Sequence, residues 1–400
     1  MPLAAKLKPK GAPAPSDDPA PFPLPAPNAA GNICNTRQPG TIKLSVVQPS
    51  RTSKRGKPEE KMTILPLTRC QFIIPFAAIC DEIGAPTEAL LTKFRLPASL
   101  QEKAEHYVPI LQAIRFAEAA QRSQGITDIG FQAASHLQFC HLSEKMRAII
   151  RFSPTLFIAL QQLCKWASLE DTTVSVWLER NDNHVRICSK LAGTARVPHL
   201  EHSQWLQNVY VMHIVRQFSG PHWVPATMAF EARYEPSLET RSFWQNTRFI
   251  SDQISSWIDI PVSFLDLPNL ASETPARSHN DDVGPSGHEI VSAVKLMLPS
   301  YLDDRIPTIA EIAEMAGISI RSFQRKLSSA GVTYSDLLDG VRFENAAKLL
   351  RDTNAKIIDV AFSSGYTDPA HFSRAFRRFS GVTPREFRGK REAAIGVGPR

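Results

Sequence analysis

Two stretches near the C-terminal end of the chain follow one pattern. Residues 308–327 read TIAEIAEMAGISIRSFQRKL, and residues 357–376 read IIDVAFSSGYTDPAHFSRAF. Each stretch is followed by Gly-Val-Thr, at residues 331–333 and 381–383. An internal repeat of this length predicts two similar supersecondary units.

The first copy predicts a helix, a tight turn and a second helix. Thr308 and Glu311 have the spacing of a capping box, in which each side chain bonds the other's backbone N–H. Gly317 can adopt the left-handed conformation that ends a helix. Ser319 is then placed to cap the next helix. This is a helix-turn-helix, a unit whose second helix enters the major groove of DNA.

The second copy predicts the same unit. Gly365 stands at the turn, Asp368 is placed to cap the second helix, and Pro369 takes the first helical position, where its missing N–H is not needed. Three phenylalanines are predicted to form its buried side: Phe372, Phe376 and Phe379.

The outward side chains of the two second helices can bind DNA. Arginine can pair bidentately with guanine and glutamine with adenine, whereas cations near a helix end can bind phosphate. Base readout is assigned to Arg321, Ser322, Gln324 and Arg325 in the first unit and to Ala370, His371 and Arg374 in the second. Phosphate contacts are assigned to Lys326, Arg377, Arg378 and Arg385.

A helix is predicted to join the two units, from about Thr333 to Asp352. Thr333 and Asp336 are placed to cap it. About 18 helical residues span roughly 27 Å, close to the roughly 34 Å of one DNA turn. One chain could therefore enter two successive major grooves and read an asymmetric site.

The composition fits a globular chain of two folded domains. It has 400 residues, of which 43% are hydrophobic and 21% charged. No apolar run reaches the roughly 20 residues of a membrane-spanning helix, and the start lacks the apolar core of a secretory signal. We therefore expect a cytoplasmic protein without membrane contact. The net charge of +7 is weakly informative, but cations are concentrated after residue 367, which favours phosphate binding.

Composition also predicts the domain boundaries. A stretch that is rich in Pro and Ala cannot bury a core and is expected to be disordered. The predicted segments are a disordered tail (1–61), an α+β effector and dimerisation domain (62–270), a linker (271–288), an all-α domain with two helix-turn-helix units (289–392) and a disordered tail (393–400).

Two patterns in the middle domain support its mixed α+β character. Apolar and polar residues alternate over 174–178 and 185–187, on either side of the turn-forming 181–183, which predicts a β-hairpin. Ser153 and Pro154 are predicted to be the N-cap and first turn of a helix.

The C-terminal region resembles a known family. Residues 319–327, 358–376 and 381–388 are similar to the signature stretches of the AraC/XylS family of bacterial regulators. The resemblance spans about residues 290–388 and implies a DNA-binding domain. It places the base-reading positions on Arg321, Gln324 and Arg325 and on Pro369, Ala370 and Arg374. Pro369 and Ala370 cannot bond bases through their side chains, so either Arg374 carries most readout by the second unit or its helix mainly holds phosphate.

Residues from about Cys70 to Pro268 more weakly resemble the effector domain of one branch of that family, called arabinose-binding-like. The similarity rests on residues 152–156, 222–225 and 260–264. It implies signal reception, dimerisation or both, and does not establish a sugar ligand. His222 and Trp223 are candidates for the wall of an effector pocket.

Enzymatic and metal-binding alternatives find little support. The sequence has no Walker A, G-x-S-x-G or H-E-x-x-H motif. Its six cysteines are scattered and form no C-x-x-C pair, which disfavours a zinc site, a redox site or a DNA-repair alkyltransferase. His136, Cys140 and His141 are close in sequence, but a structural role is favoured. We therefore expect no cofactor and no metal.

The sequence predicts a transcription factor that binds bacterial promoters. We expect an activator that responds to a small-molecule effector, forms a homodimer and contacts RNA polymerase. A repressor and a non-specific architectural DNA-binding protein remain alternatives, and a small ratio of specific to non-specific affinity would favour the latter.

Overall fold

The computed structural model describes residues 65–181, 183–192, 197–270 and 289–395, with side chains described up to residue 389. The predicted N-terminal tail (1–61), the linker (271–288) and residues 396–400 lie outside these ranges. The predicted domain boundaries therefore stay predictions. None of the described helices is long and apolar enough to cross a membrane.

Residues 65–270 form an α+β domain, which confirms the predicted fold class. Its helices are α1 (Ile74–Glu82), α2 (Thr87–Lys93), α3 (Ile110–Gln124), α4 (Ile129–Ser135), α5 (Glu144–Arg151), α6 (Leu156–Trp166), α7 (Glu201–Ser219) and α8 (Leu238–Phe243). Its strands are β1 (Leu67–Arg69), β2 (Tyr107–Pro109), β3 (Val174–Asn181), β4 (His184–Leu191), β5 (Thr227–Ala229), β6 (Arg248–Ile250) and β7 (Ser256–Pro261).

The main sheet has five strands in the order β3-β4-β7-β5-β6. β3 and β4 form the predicted hairpin, with register from Val174 opposite Leu191 to Asn181 opposite His184. β7 pairs antiparallel with β4 and β5, and β5 pairs parallel with β6. β1 and β2 form a separate antiparallel pair.

Helix α7 packs against β7 and is buried on most sides. Its Trp205 is fully buried, with ring centroids 5.3 Å from Phe131 and 5.2 Å from Phe230. Aromatic pairs at such separations add stability beyond the area they bury. Trp205 therefore joins α7 to α4 and to the chain that follows β5.

The predicted start of α6 was wrong by two residues. The helix begins at Leu156, and its N-cap is Thr155, whose hydroxyl accepts from the Ile158 N–H at 3.4 Å. Ser153 is not available as a cap because its hydroxyl donates to the carbonyl of Ile149 in the preceding helix, at 2.9 Å. Thr155 is extended and forms a β-bridge with Pro268, which delays the helix.

The C-terminal domain is all-helical, as predicted. Its helices are α9 (Ile290–Met297), α10 (Ile309–Met315), α11 (Ile320–Ser329), α12 (Tyr334–Asp352), α13 (Ile357–Ser363), α14 (Pro369–Ser380) and α15 (Pro384–Ile395). The first helix-turn-helix is α10–α11, the second is α13–α14, and α12 connects them.

The core of the second unit contains Phe372 and Phe376, both 1% exposed. Phe379 was also predicted to face inward, but it is 43% exposed. It lies at the edge of the core, where its ring stacks on Phe343 of α12 at a centroid distance of 5.4 Å. Because an α-helix has 3.6 residues per turn, position 379 lies at the edge of the interface between α12 and α14.

Candidate DNA-binding interface

The first unit is built as the sequence predicts. Thr308 and Glu311 form the capping box, with the Thr308 N–H donating to Glu311 Oε2 at 2.8 Å. That backbone bond is the main cause of a lowered pKa of Glu311, and Arg305 lowers it further. Gly317 has φ +66° and open space around its α-carbon, so conformation alone favours glycine there. Ser319 caps α11 by accepting from the Ser322 N–H at 3.2 Å.

The second unit has a tighter turn. Gly365 has φ +78°, and a β-carbon there would lie 2.8 Å from the carbonyl oxygen of Leu302. Asp368 caps α14 by accepting from the N–H groups of Ala370 and His371 at 2.9 and 3.0 Å. Those two bonds lower the pKa of Asp368, so it remains charged at neutral pH.

Helix α11 presents side chains that are free to bind DNA. Arg321, Gln324 and Arg325 are exposed, and none of the described acidic groups pairs with either arginine. Ser322 is half-buried, and its hydroxyl accepts from Ser319 at 2.9 Å. Of the four predicted base-reading residues in this unit, Ser322 is thus partly committed to the helix cap.

Helix α14 is less open to base readout. Ala370, His371 and Arg374 are exposed, but the Arg374 guanidinium lies 4.0 Å from Asp368. The His371 ring meets Tyr366 edge-on, at a centroid distance of 5.7 Å. The start of this helix offers Pro369 and Ala370, which cannot donate to bases through their side chains.

The predicted phosphate ligands fall into two groups. Arg377 and Arg385 are exposed, with no ion pair in the described part of the chain, and Lys326 is half-buried. Arg378 instead pairs with Asp339 of α12 at 2.9 Å. Its guanidinium carbon also lies 5.5 Å from the centroid of the Phe379 ring. Arg378 therefore already contributes to holding α14 on α12.

Sequence reasoning missed the side chains that hold α12 against the second unit. Arg342 donates to the carbonyl of Gly365 at 2.9 Å, and its guanidinium carbon lies 5.0 Å from the centroid of the Tyr366 ring. Asn345 donates to the carbonyl of Ser363 at 2.9 Å. Since each bond reaches the turn between α13 and α14, the orientation of this turn on α12 is fixed by hydrogen bonds as well as by packing.

The C-terminal domain also contacts the middle domain. Arg95, just after α2, donates to Glu314 of α10 at 2.8 Å and lies 3.6 Å from Glu311. Ser300 donates to the carbonyl of Tyr107 in β2 at 2.5 Å. The first helix-turn-helix unit is therefore joined to the middle domain through its first helix.

The middle domain contains a partly open apolar cavity of about 80 Å³ between α1, α3, α6 and α7. Its apolar wall includes Phe72, Phe76, Ile114, Leu163, Leu206 and Ile214. Polar side chains also line it, among them Glu170, Asp171, His202, Gln207 and Tyr210. The predicted pocket residues lie elsewhere: His222 is exposed, and Trp223 is half-buried against Phe264 at a centroid distance of 6.4 Å.

Potential metal-ligand side chains lie in two places in the described part of the middle domain. His141 Nδ1 accepts from the backbone N–H of Gln138 at 3.2 Å and caps a short turn, a structural role as expected. His199, Glu201 and His202 instead converge before and within the first turn of α7. Their spacing at i, i+2 and i+3 was visible in the sequence but matches no metal motif.

Two family models match the chain. One, described as a helix-turn-helix domain, matches residues 312–390. The other, described as the arabinose-binding domain of AraC transcription regulators, matches residues 84–253. Together they cover the DNA-binding units and most of the middle domain.

Individual proteins are similar to the chain over different lengths. The ornithine utilization regulator of Pseudomonas aeruginosa is 37% identical over 140 residues, covering 33% of this chain and 41% of that protein. The regulator VirS of Mycobacterium tuberculosis is 19% identical over 333 residues, covering 80% and 96%. The crystal structure of the regulator CdpR from Pseudomonas aeruginosa has a TM-score of 0.31 and 18% identity, covering 75% and 96%. The chain thus spans less than half the length of the ornithine regulator.

The double helix-turn-helix and both family matches lie on one chain in the order that the sequence patterns predict. The chain therefore belongs to the AraC family of transcription regulators, with an N-terminal arabinose-binding-type domain and a C-terminal helix-turn-helix domain.

Proposed function

We propose that this chain activates transcription from promoters that it reads in one asymmetric site, in response to a small-molecule effector. The observation that carries the proposal is the pair of recognition helices on one connecting helix. Two half-sites that are contacted by one chain need no symmetry, unlike those of a helix-turn-helix dimer. The family is not enzymatic, and the five cysteines in the described part of the chain are all free.

We place the effector in the apolar cavity between α3 and α7. A sugar presents hydroxyl groups on all sides, and each one needs a partner when it is buried. This cavity is walled mostly by aliphatic and aromatic side chains. A small molecule with an apolar body and a single polar end, directed toward Asp171 or Tyr210, therefore fits this cavity better than a sugar does.

The contacts between the domains suggest how the effector acts. Phe72 lines the cavity just after β1, β1 pairs with β2, and β2 accepts a hydrogen bond from Ser300. An effector that binds one arrangement of these contacts better than another shifts the population toward that arrangement. The coupling free energy cannot exceed the difference between the effector's binding free energies for the two arrangements. Dimerisation through the middle domain and contact with RNA polymerase stay predictions.

Genome-wide mapping of the bound DNA tests the proposal. The protein is crosslinked to DNA in its host, and bound fragments are sequenced under several growth conditions. A small set of sharp peaks upstream of genes, which share one asymmetric motif of about two helical turns, supports specific regulation. Diffuse occupancy under every condition favours the architectural alternative. Loss of transcription of the neighbouring genes on deletion supports activation, whereas a gain indicates repression.

A further inference from the structure

A cluster of potential metal-ligand side chains lies at the start of α7 in the middle domain. His199, Glu201 and His202 each offer one ligand atom, and these atoms lie within 4.8 Å of one another. His199 Nδ1 is 3.1 Å from Glu201 Oε1. That is close to the roughly 3.3 Å between neighbouring donors at a tetrahedral zinc ion with bonds of about 2.0–2.1 Å.

His202 provides an independent reason to expect a ligand. Its side chain is 3% exposed, and neither ring nitrogen has a hydrogen-bond partner among the described residues. Buried polar atoms are nearly always paired, so an unpaired ring requires an explanation. Neutral imidazole is the form that binds metals, through a ring nitrogen that carries no proton.

The groups around the cluster suit a cation despite a neighbouring arginine. Glu118 Oε1 lies 3.5 Å from His199 Nε2, on the side of the ring opposite Nδ1. A carboxylate at this place is the usual second partner of a metal-bound histidine, because it fixes the tautomer that leaves the other nitrogen free to coordinate. Arg122 approaches the same Nε2 at 3.4 Å, but it pairs with Glu118 at 2.8 Å and is 71% exposed.

We propose that His199, Glu201 and His202 bind one divalent transition-metal ion of the zinc class. Two imidazoles and one carboxylate are a donor set that zinc accepts, and the fourth position stays open to water or to a donor atom of another ligand. His202 also lines the apolar cavity. A bound ion would therefore fix the first turn of α7 beside the proposed effector site.

The alternative is that His199 only pairs with Glu201 at the start of α7 and that His202 is a core residue. The full-length protein, stripped of metal, separates the two when it is titrated with Zn²⁺ against a chromophoric chelator and with Co²⁺ by visible absorption. We expect one ion per chain and a Co²⁺ spectrum of four-coordinate intensity. His199→Ala and Glu201→Gln should abolish that spectrum, and Glu118→Gln should weaken binding about 10–100-fold.

Two controls address folding and stray binding. His199 and Glu201 are only partly buried, so their variants should keep the wild-type circular dichroism spectrum. His222→Ala and Cys140→Ser remove an exposed histidine and an exposed cysteine outside the cluster and should leave the affinity unchanged. The proposal is overturned if wild-type protein binds no ion, if His199→Ala binds as tightly as wild type, or if Cys140→Ser removes the binding.

Discussion

Replacement of Gly365 by alanine tests whether the second helix-turn-helix is locked against the rest of the domain. The backbone here has φ +78°, and an added β-carbon would lie 2.8 Å from the Leu302 carbonyl oxygen and 3.2 Å from Ile306 Cδ1. The isoleucine side chain can move, but the carbonyl belongs to the segment that joins α9 to α10. The substitution therefore forces the second unit away from the segment that precedes the first unit.

The expected loss has two components. A left-handed conformation costs a residue with a β-carbon about 1–2 kcal/mol. Overlap with a fixed backbone atom adds about 1–3 kcal/mol, as for other overpacked sites. Gly317 supplies the matched control, because its φ is +66° and nothing lies within 4 Å of an added β-carbon. Gly317→Ala should therefore show only the first component.

Hydrogen exchange on the full-length protein measures both variants, since a two-domain chain need not unfold in one transition. We expect the opening free energy of α13 and α14 amides to fall by about 2–5 kcal/mol in Gly365→Ala. In Gly317→Ala, the amides of α10 and α11 should lose about 1–2 kcal/mol. Equal losses in the two variants would refute the argument that close approach to Leu302 matters.

Three further predictions concern binding, pH and domain contact. Arg321→Ala should cost about 1–3 kcal/mol of binding free energy on the cognate site and relax the base preference there, whereas Arg377→Ala should weaken binding to all sequences and reduce the salt slope by about 0.9. Fluorescence anisotropy across salt concentrations measures both effects. An unchanged base preference in Arg321→Ala would contradict the assignment of this residue to base readout. Burial raises the pKa of Asp171 to about 6, so the free energy of unfolding should decrease as pH rises from the ordinary aspartate range through about 6. Urea unfolding at several pH values measures this dependence, which Asp171→Asn should lack. An unchanged pH dependence in the variant would exclude Asp171 as its source. Arg95→Ala removes a partly exposed ion pair worth at most about 1 kcal/mol. In a reporter assay without effector, this variant should change promoter activity by up to about fivefold. Arg95→Glu combined with Glu314→Arg should restore the wild-type activity.

Much of the DNA-binding domain could be predicted because its helix ends depend on local chemistry. The capping boxes, the left-handed glycines and the N-cap of Asp368 each involve residues that lie within about four positions of one another. Such contacts form in any surrounding that allows the helix, so the sequence alone indicates them. The β3–β4 hairpin was predictable for the same reason, since its turn and alternation are local.

The sequence patterns did not indicate contacts with segments far along the chain. Ser153 lost its predicted capping role to Thr155, because Ile149 takes its hydroxyl and Pro268 holds Thr155 extended. The assignment of Arg378 to phosphate stays a prediction, but no local pattern indicated its pairing with Asp339, which lies 39 positions earlier. The convergence of His199 with Glu118 likewise joins α3 to the start of α7. No local pattern specifies the contacts made by Pro268, Asp339 and Glu118.

The two helix-turn-helix units are thus unequal in a way that bears on regulation. α11 carries exposed Arg321 and Arg325, which have no ion pair in the described part of the chain. The equivalent helix of the second unit begins with Pro369 and Ala370, whose side chains cannot hydrogen-bond bases, and its Arg378 pairs with Asp339 of α12. The middle domain touches α10 of the first unit through Arg95. The middle domain therefore contacts the unit whose second helix carries the two exposed arginines. If the effector acts through this contact, it should change affinity for cognate sites more than affinity for random DNA, because non-specific binding depends on phosphate contacts that both units share.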